Sequence, residues 1–197
     1  MRPIITLLPA LTAALMLSGC ISFAAAPPPS LLTLTPDSPL ATGQTSSSAT
    51  AATILIQQPS VPASLASARV PVQTTPTEIA YVKEALWSEP PARLFTRLLA
   101  DTIGSQTGRV VLTPAQSMID PGARLGGELR SFGLDAATGD AVVTYDATLI
   151  RGGSMTFEKR RFEAREPVGT VTPQSTGMAI NRAANRVAGE VATWVGK

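Results

Sequence analysis

The order of apolar segments along this chain predicts an α/β (α+β) fold, a single domain in which a mixed β-sheet is packed by two main helices. Three observations support this prediction. Strand-like segments precede Trp87, a helical period follows at 90–105, and a second helical period closes the chain at 172–195. Between the two helices, residues 110–166 are rich in strand-like segments. We therefore expect a mixed sheet with at least one face covered by the helices.

The first half of the chain contains three predicted strands and the first helix. Residues 31–34 and 53–57 are apolar and partly β-branched, and 78–83 has the same character. At 90–105 apolar side chains recur at helical spacing, and the two prolines at its start suit a first helical turn. We predict no regular element between the second and third strands, because prolines interrupt that stretch. They lie at positions 59, 62 and 71.

The second half is predicted to contain four strands, at 110–113, 123–134, 143–150 and 154–166. In the second of these, the apolar phase changes after Leu129, which indicates a β-bulge or a bend near 131–133. A turn at 138–140 and a two-residue turn at Gly152-Gly153 are expected to join the last three strands as antiparallel hairpins.

The side chains expected in the core come mainly from the last strand and the closing helix. In the last strand we expect Phe157, Phe162 and Ala164 to point inward. The closing helix carries an apolar stripe at helical spacing, which we expect to be buried. This stripe consists of Ile180, Ala183, Val187, Val191 and Trp194. Trp87 and Met178 are also interpreted as core residues, although tryptophans at a partner-binding surface are the alternative.

The first twenty residues have the pattern of a bacterial lipoprotein signal. Arg2 precedes an apolar run over 4–17, which is too short and too abruptly ended for a membrane span. Two small residues then precede Cys20, the only cysteine. Residues 1–19 are therefore predicted to be a signal peptide that is removed before Cys20, which then carries acyl chains. An ordinary signal peptide with a chance cysteine is the alternative.

The residues after Cys20 bear on location and reach. Ile21 stands where enteric bacteria place an aspartate for inner-membrane retention, so we expect the periplasmic face of the outer membrane, with the inner membrane as the alternative. Residues 20–30 are predicted to be the lipidated cysteine and a tether that three consecutive prolines extend. Residues 31–197 are the predicted domain, in which the Ser-, Thr-, Ala- and Pro-rich segment 35–52 is expected to be a mobile loop.

Composition excludes several classes of function. The formal charge of the chain is +2, and this near-balance argues against a nucleic-acid partner, which would need a concentrated basic face. The chain has no histidine and one cysteine, which excludes His-dependent triads, His-ligated metal sites and internal disulfides. We expect no catalytic residue, no metal, no cofactor and no enzyme activity, although catalysis by carboxylates alone stays open.

Charged residues in the second half permit two interpretations. The basic residues 159–161 and Arg165 are typical of contacts with anionic lipid headgroups. Glutamates are interleaved with them, which favours a solvated strand face instead. Three aspartates lack the spacing of a calcium loop and are expected in turns and on the surface. They are Asp135, Asp140 and Asp146.

Short motifs follow one another in a recognisable order. Leu-Leu-Thr-Leu-Thr-Pro at 31–36 comes soon after the lipobox cysteine, Ile-Leu-Ile follows at 54–56, and Glu-Ile-Ala-Tyr at 78–81 precedes Trp-Ser-Glu-Pro at 87–90. In these motifs the chain resembles the ABC-type transport auxiliary lipoproteins, the PqiC-like family. That family accompanies mammalian-cell-entry (MCE) domain transporters for lipids in diderm bacteria. A departure is Leu31-Leu32, where the family commonly has aromatic residues.

The resemblance implies an α/β sandwich and a non-enzymatic accessory subunit. Its partner would be the MCE-domain protein of an ABC lipid transporter, which the subunit would link to the outer membrane, with the permease and ATPase as separate chains. No catalytic residue carries over from the family, and only Cys20 transfers as a functional position. Two alternatives stay open, a different outer-membrane assembly or scaffold lipoprotein and a small periplasmic hydrolase. A homo-oligomer also stays open.

Overall fold

The computed structural model describes residues 30–43, 45–113, 116, 120–152, 154 and 156–197. Within these ranges seven strands form one mixed sheet and two long helices pack on it, which confirms the predicted fold class. The strands are β1 (Thr53–Ile56), β2 (Arg69–Thr75), β3 (Glu78–Leu86), β4 (Val110–Leu112), β5 (Ala123–Asp135), β6 (Asp140–Arg151) and β7 (Glu158–Pro167). The helices are α1 (Pro91–Thr107) and α2 (Pro173–Val195), with a short 3-10 helix at Ala63–Leu65. None of the helices in these ranges combines the length and the apolar character that a membrane span requires.

Strand β5 is the centre of the sheet, and one of its edges is shared by two strands. On one side β5 pairs antiparallel with β6, and β6 pairs antiparallel with β7. On the other side β1 lies beside the start of β5 and β2 beside its end, both parallel to it. A bridge between Ser60 and Glu128 lies between these two pairings. Strand β4 extends the sheet from β1, and β3 extends it from β2.

The amino-terminal half differs from the prediction in two strands. Strand β2 was not predicted, because its proline suggested an irregular segment. Pro71 lies within β2 opposite Tyr81, next to a shift in the β2–β3 register, where the hydrogen-bond ladder is already irregular and tolerates a proline. The predicted strand at 31–34 is reduced to one bridge between Leu32 and Trp87, held by two hydrogen bonds of 2.8 Å.

The predicted β-bulge is present in β5, slightly earlier than expected. The register with β6 shifts between Leu129 and Ser131, just before the predicted position at 131–133. Leu129 and Phe132 are both buried although they lie three residues apart. The extra residue of a bulge makes this possible, since strict alternation would turn one of the two side chains to the opposite face.

The connection between β6 and β7 is longer than predicted. Strand β7 begins at Glu158, so the predicted start of the returning strand at 154 is wrong, and Gly153 of the predicted turn lies outside the described residues. Phe157 lies in this connection and is 59 % exposed, so the prediction that it points inward is also wrong. Once pairing with β6 begins, the predicted alternation holds, and Phe162 and Ala164 are buried.

The hydrophobic core lies between the sheet and the two helices. Trp87 and Phe132 have ring centroids 5.3 Å apart, and Phe95 of α1 lies 5.3 Å from Tyr145 of β6. Trp87 is 2 % exposed and Trp194 is 8 % exposed, which confirms the interpretation of both tryptophans as core residues. Aromatic pairs at these distances stabilise a core beyond the area that they bury.

Helix α2 packs on the sheet by the predicted stripe. All five stripe residues are buried, and Val187 is fully inaccessible to solvent. At its start Thr172 and Ser175 form a capping box, in which each side chain accepts a hydrogen bond from the other's backbone N–H. At its end the Arg151 guanidinium donates to the Val195 carbonyl at 3.3 Å, which satisfies a backbone acceptor that the helix leaves free.

Met178 is not part of the core. It is 53 % exposed, so its interpretation as core filler is wrong. The reason is its place on the helix, because Met178 lies two residues before Ile180 and a separation of two residues turns a side chain by about 200° around a helix axis. The position therefore presents a large apolar side chain to solvent.

Candidate interaction surfaces

One face of the sheet is turned away from the helices. Tyr145 points toward α1, where its ring contacts Phe95. Because side chains alternate along a strand, Thr144 and Asp146 point to the opposite face. We call this surface the open sheet face. It comprises Glu128, Arg130, Asp135, Thr144, Asp146, Lys159, Arg161, Glu163 and Arg165.

Ion pairs between neighbouring strands cover the open sheet face. Arg161 lies directly opposite Asp146 and donates two hydrogen bonds to its carboxylate, at 2.6 Å from Nε and 2.7 Å from Nη2. Arg165 donates to Asp135 and to Glu163, both at 3.0 Å. Cations and anions therefore alternate on this face, which agrees with a solvated strand face for the basic segment rather than a cationic lipid-binding patch.

The arginines also shift the pKa values of their partners. Hydrogen bonds from Arg161 lower the pKa of Asp146, and hydrogen bonds from Arg165 lower the pKa of Asp135, with partial burial acting in the opposite sense. Asp146 in turn raises the pKa of Arg161. Asp135, Asp146 and Arg161 are therefore charged at neutral pH, and the two aspartates keep their charge to a lower pH than unpaired aspartates do.

Two shallow cavities open on this face. One of about 650 Å³ lies between Gly127 and the basic residues 159–161, and one of about 250 Å³ lies beside Gly133 and Arg165. Gly133 is needed for the close approach of β2, because a Cβ there would lie 2.2 Å from the Pro71 carbonyl oxygen. The described carboxylates in both linings are held by arginines, so the cavities are polar recesses rather than clusters of free acids.

A second surface lies where the described chain begins. Leu32 packs on α2 so closely that a Cβ added to Gly177 would lie 2.7 Å from its Cδ2 atom. Leu31 and Met178 line a groove at this contact, Val171 lies two residues before α2, and all three side chains are about half exposed. We call them the amino-terminal patch: Leu31 (54 %), Val171 (54 %) and Met178 (53 %).

Two grooves lie beside the residues of the amino-terminal patch and flank the first turn of α2. A groove of about 460 Å³ runs along Val82 of β3, Val171 and Pro173, and a groove of about 270 Å³ runs along Leu31 and Met178. Lys83 and Asp135 are the charged residues among the described residues that line them. The linings of both grooves are therefore mostly uncharged.

Asparagines on α2 fix the segment that follows the patch. Asn181 accepts a hydrogen bond from Thr35 N–H at 2.9 Å. Asn185 accepts from Asp37 N–H at 2.8 Å and donates to the Thr35 carbonyl at 2.9 Å. The start of the segment 35–52 thus contacts the helix, and the mobility of this segment stays a prediction.

Glu166 is the acid that ties β7 to α2. Its side chain is 11 % exposed and pairs with Arg182 at 3.3 Å and with Arg186. Both arginines lie off the buried stripe, where their stems reach back over the last strand. These two ion pairs hold the edge strand β7 against α2 on the solvent-exposed side of the contact.

The predicted functional position, Cys20, lies outside the described residues, as do the signal peptide at 1–19 and most of the tether. Of the aspartates, Asp135 and Asp146 belong to the open sheet face, and Asp140 starts β6 opposite Asp135. Among the described residues no three His, Cys, Asp or Glu side chains form a group that could hold a metal ion.

Sequence reasoning missed two features of these surfaces. The first is Arg130, which lies at the bulge of β5 and pairs with Asp146 at 3.6 Å. The change of apolar phase in this strand was the signal that could have placed Arg130 on the open sheet face. The amino-terminal patch was missed because Leu31 was assigned to a strand and Met178 to the core. For Met178 a signal was available, because this residue lies off the apolar stripe of α2.

The fold is similar to that of solved structures. One is a crystal structure of an uncharacterized protein, with 21 % identity, a TM-score of 0.63, and coverage of 73 % of this chain and 92 % of that chain. Another is the crystal structure of protein XCC0632 from Xanthomonas campestris, of family DUF330, with 20 % identity, a TM-score of 0.63, and coverage of 85 % of this chain and 92 % of that chain. At these identities the likeness shows the fold alone.

A family model gives the assignment that the fold alone does not. No curated protein matches this chain. The model described as "ABC-type transport auxiliary lipoprotein component" matches residues 32–192. The match begins at the Leu32 bridge, includes all seven strands and α1, and ends within the last turn of α2. This chain belongs to the family of ABC-type transport auxiliary lipoprotein components.

Proposed function

We propose that this protein is a membrane-anchored periplasmic lipoprotein subunit of an ABC/MCE-type lipid transport system. The observation that carries the proposal is the family match over residues 32–192, which makes the chain an auxiliary component of ABC-type transport. The motif order and the pattern at Cys20 support the finer assignment. In this assignment the subunit binds the MCE-domain protein, links it to the outer membrane, and has no turnover of its own.

Cys20 is the membrane anchor in this proposal. A single acyl chain binds a membrane only marginally, so lasting attachment needs the two or three chains that a lipobox cysteine carries. The Cys20→Ala variant should lose acyl label and move from the membrane fraction to the soluble fraction. Ser22→Ala is the matched control, which should stay labelled and membrane-bound. A Cys20→Ala protein that still takes up label and still sediments with membranes would contradict the anchor.

The open sheet face is the surface that we assign to the MCE partner. Its arginines are already held by carboxylates, so their side chains lose little freedom when a partner binds. Arginine is also common among the residues that dominate binding energies at protein interfaces. The recesses of about 650 Å³ and 250 Å³ beside these arginines provide concave positions for protruding partner side chains.

Capture of the MCE protein from solubilised envelopes tests this surface. Arg161→Glu places a negative charge opposite Asp146 and should reduce capture about tenfold or more, which corresponds to about 1.4 kcal/mol. Arg93→Glu is the matched control, because it breaks a comparable surface pair with Glu89 at 3.1 Å but lies on α1. Equal capture by both variants would reject the open sheet face, and no capture by the unaltered protein would reject the partner itself.

A further inference from the structure

We propose that the amino-terminal patch lies against the lipid surface of the membrane that holds the anchor, so that the anchored domain has a fixed orientation. This proposal rests on the proposed function, since it needs acylated Cys20. It concerns three residues with no other role in the fold: Leu31, Val171 and Met178.

The patch lies where the chain from the anchor reaches the domain. Leu31 directly precedes Leu32, which bridges Trp87 in the parallel sense, and the chain then continues to its contacts with α2. Residues 21–30 separate the patch from the anchor, and ten residues span at most about 33–36 Å when fully extended. A tether of this length keeps the patch at a high effective concentration near the bilayer, so a modest apolar contact is enough to be populated.

The chemistry of the patch suits a lipid surface. The two grooves around it have Lys83 and Asp135 as their charged described residues. Asp135 is held by Arg165 at 3.0 Å, so its charge is compensated. Lys83 pairs with Glu84 at 3.7 Å, but the two side chains are 90 % and 66 % exposed. Such a surface pair is weak, so Lys83 can leave it for an anionic headgroup while the apolar side chains contact the acyl boundary.

Phe157 provides an internal comparison at the other end of the molecule. It is 59 % exposed, slightly more than any residue of the patch. It precedes β7 beside Glu158, which pairs with Arg151, and Arg151 contacts the last carbonyls of α2. Phe157 therefore lies near the end of α2 while the patch lies near its start, and the 23-residue helix separates the two by about 34 Å.

The test uses the mature, acylated full chain on vesicles of phosphatidylethanolamine and phosphatidylglycerol whose lipids carry a spin-label quencher. Acylation blocks the Cys20 sulfur, so one added cysteine can be labelled with a polarity-sensitive dye. Met178→Cys should show a blue shift and at least twofold quenching by the labelled lipid. Phe157→Cys should show neither, although both proteins float with the vesicles. Adding Val171→Asp to the Met178→Cys protein should reduce the quenching at least twofold.

Each outcome decides for or against the proposal. Flotation with equal quenching at both positions, or with none at Met178→Cys, overturns the membrane-facing patch and leaves the anchor standing. A blue shift that grows with protein concentration and comes without lipid quenching indicates that the patch contacts a second copy of the chain. This result also overturns the membrane-facing patch. If neither protein floats, the anchor fails, and this proposal fails with it. Quenching unchanged by Val171→Asp also contradicts the patch.

Discussion

A charge at position 187 is the sharpest test of how the core is built. Val187 is fully buried in the stripe of α2. Removing the valine side chain costs about 2 kcal/mol in lost burial, and a buried carboxyl without a partner adds about 2–4 kcal/mol. At about 2–4 °C per kcal/mol for a domain of this size, Val187→Asp should lower the unfolding temperature by about 8 °C or more. The assay is thermal unfolding of residues 30–197.

Two matched variants separate charge from lost volume. Val187→Ala should cost about 1–2 kcal/mol, because it removes apolar volume without adding a charge. Met178→Asp introduces the same charge on the same helix at a side chain that is 53 % exposed, and should stay within about 0.5 kcal/mol of the unaltered domain. Equal destabilisation by Val187→Asp and Met178→Asp would refute the assignment of the buried face.

The pH dependence gives a second signature for the same variant. Burial raises the pKa of the introduced carboxyl in the folded state above its unfolded value of about 3.9. The folded state then holds the proton more tightly than the unfolded state, so the cost of Val187→Asp should be smallest below about pH 4 and should grow as the pH rises. A cost that is independent of pH would indicate that the new carboxyl reaches solvent.

Three other contacts give expected outcomes of different size. Arg186→Asp places a second carboxylate beside Glu166, whose side chain is 11 % exposed. The free energy of unfolding in urea should therefore fall by about 1–3 kcal/mol, and an unchanged value would contradict this pairing. Hydrogen bonds from arginine lower the folded-state pKa of Asp146, so its contribution is present at neutral pH and is lost as the pH falls below about 4. Its asparagine variant should therefore lower the unfolding temperature more at pH 7 than at pH 2, and an equal loss at both would oppose the ion pair. Deleting 45–50 should change the unfolding temperature by less than about 2 °C, because a shorter surface loop changes stability little. Asn185→Ala should destabilise the fold by about 1–2 kcal/mol, because it removes the hydrogen bonds to Thr35 and Asp37. Calorimetry that shows a larger loss of stability for the deletion than for Asn185→Ala would contradict these contacts.

The parts of the fold that sequence reasoning predicted depend on periodicity within one segment. The α2 stripe was predicted because Ile180, Ala183 and Val187 recur at helical spacing, and all are buried. The bulge in β5 was predicted because the apolar phase changes after Leu129. Local spacing is enough in such cases, since a helix or strand must turn one continuous apolar face to the core.

The parts that were missed depend on contacts between distant segments. Strand β2 contains Pro71, and only its pairing with β5 and its irregular pairing with β3 make that proline acceptable. Phe157 belongs to a connection whose length sequence does not specify. The ion pairs of the open sheet face need the β6–β7 register, which brings Arg161 opposite Asp146. The charged residues of the last strand and their solvated character could be predicted from the sequence, but not Arg130 and not which charges meet.

The central claim is that this subunit works with an MCE protein in one lipid transport system. The most direct measurement is the envelope lipid composition of strains that lack this protein, the MCE partner, or both. We expect the same lipid defect in all three strains, repaired in the first by the unaltered protein but not by Cys20→Ala. Additive defects in the double deletion, or a normal lipid composition in the strain that lacks only this protein, would contradict it.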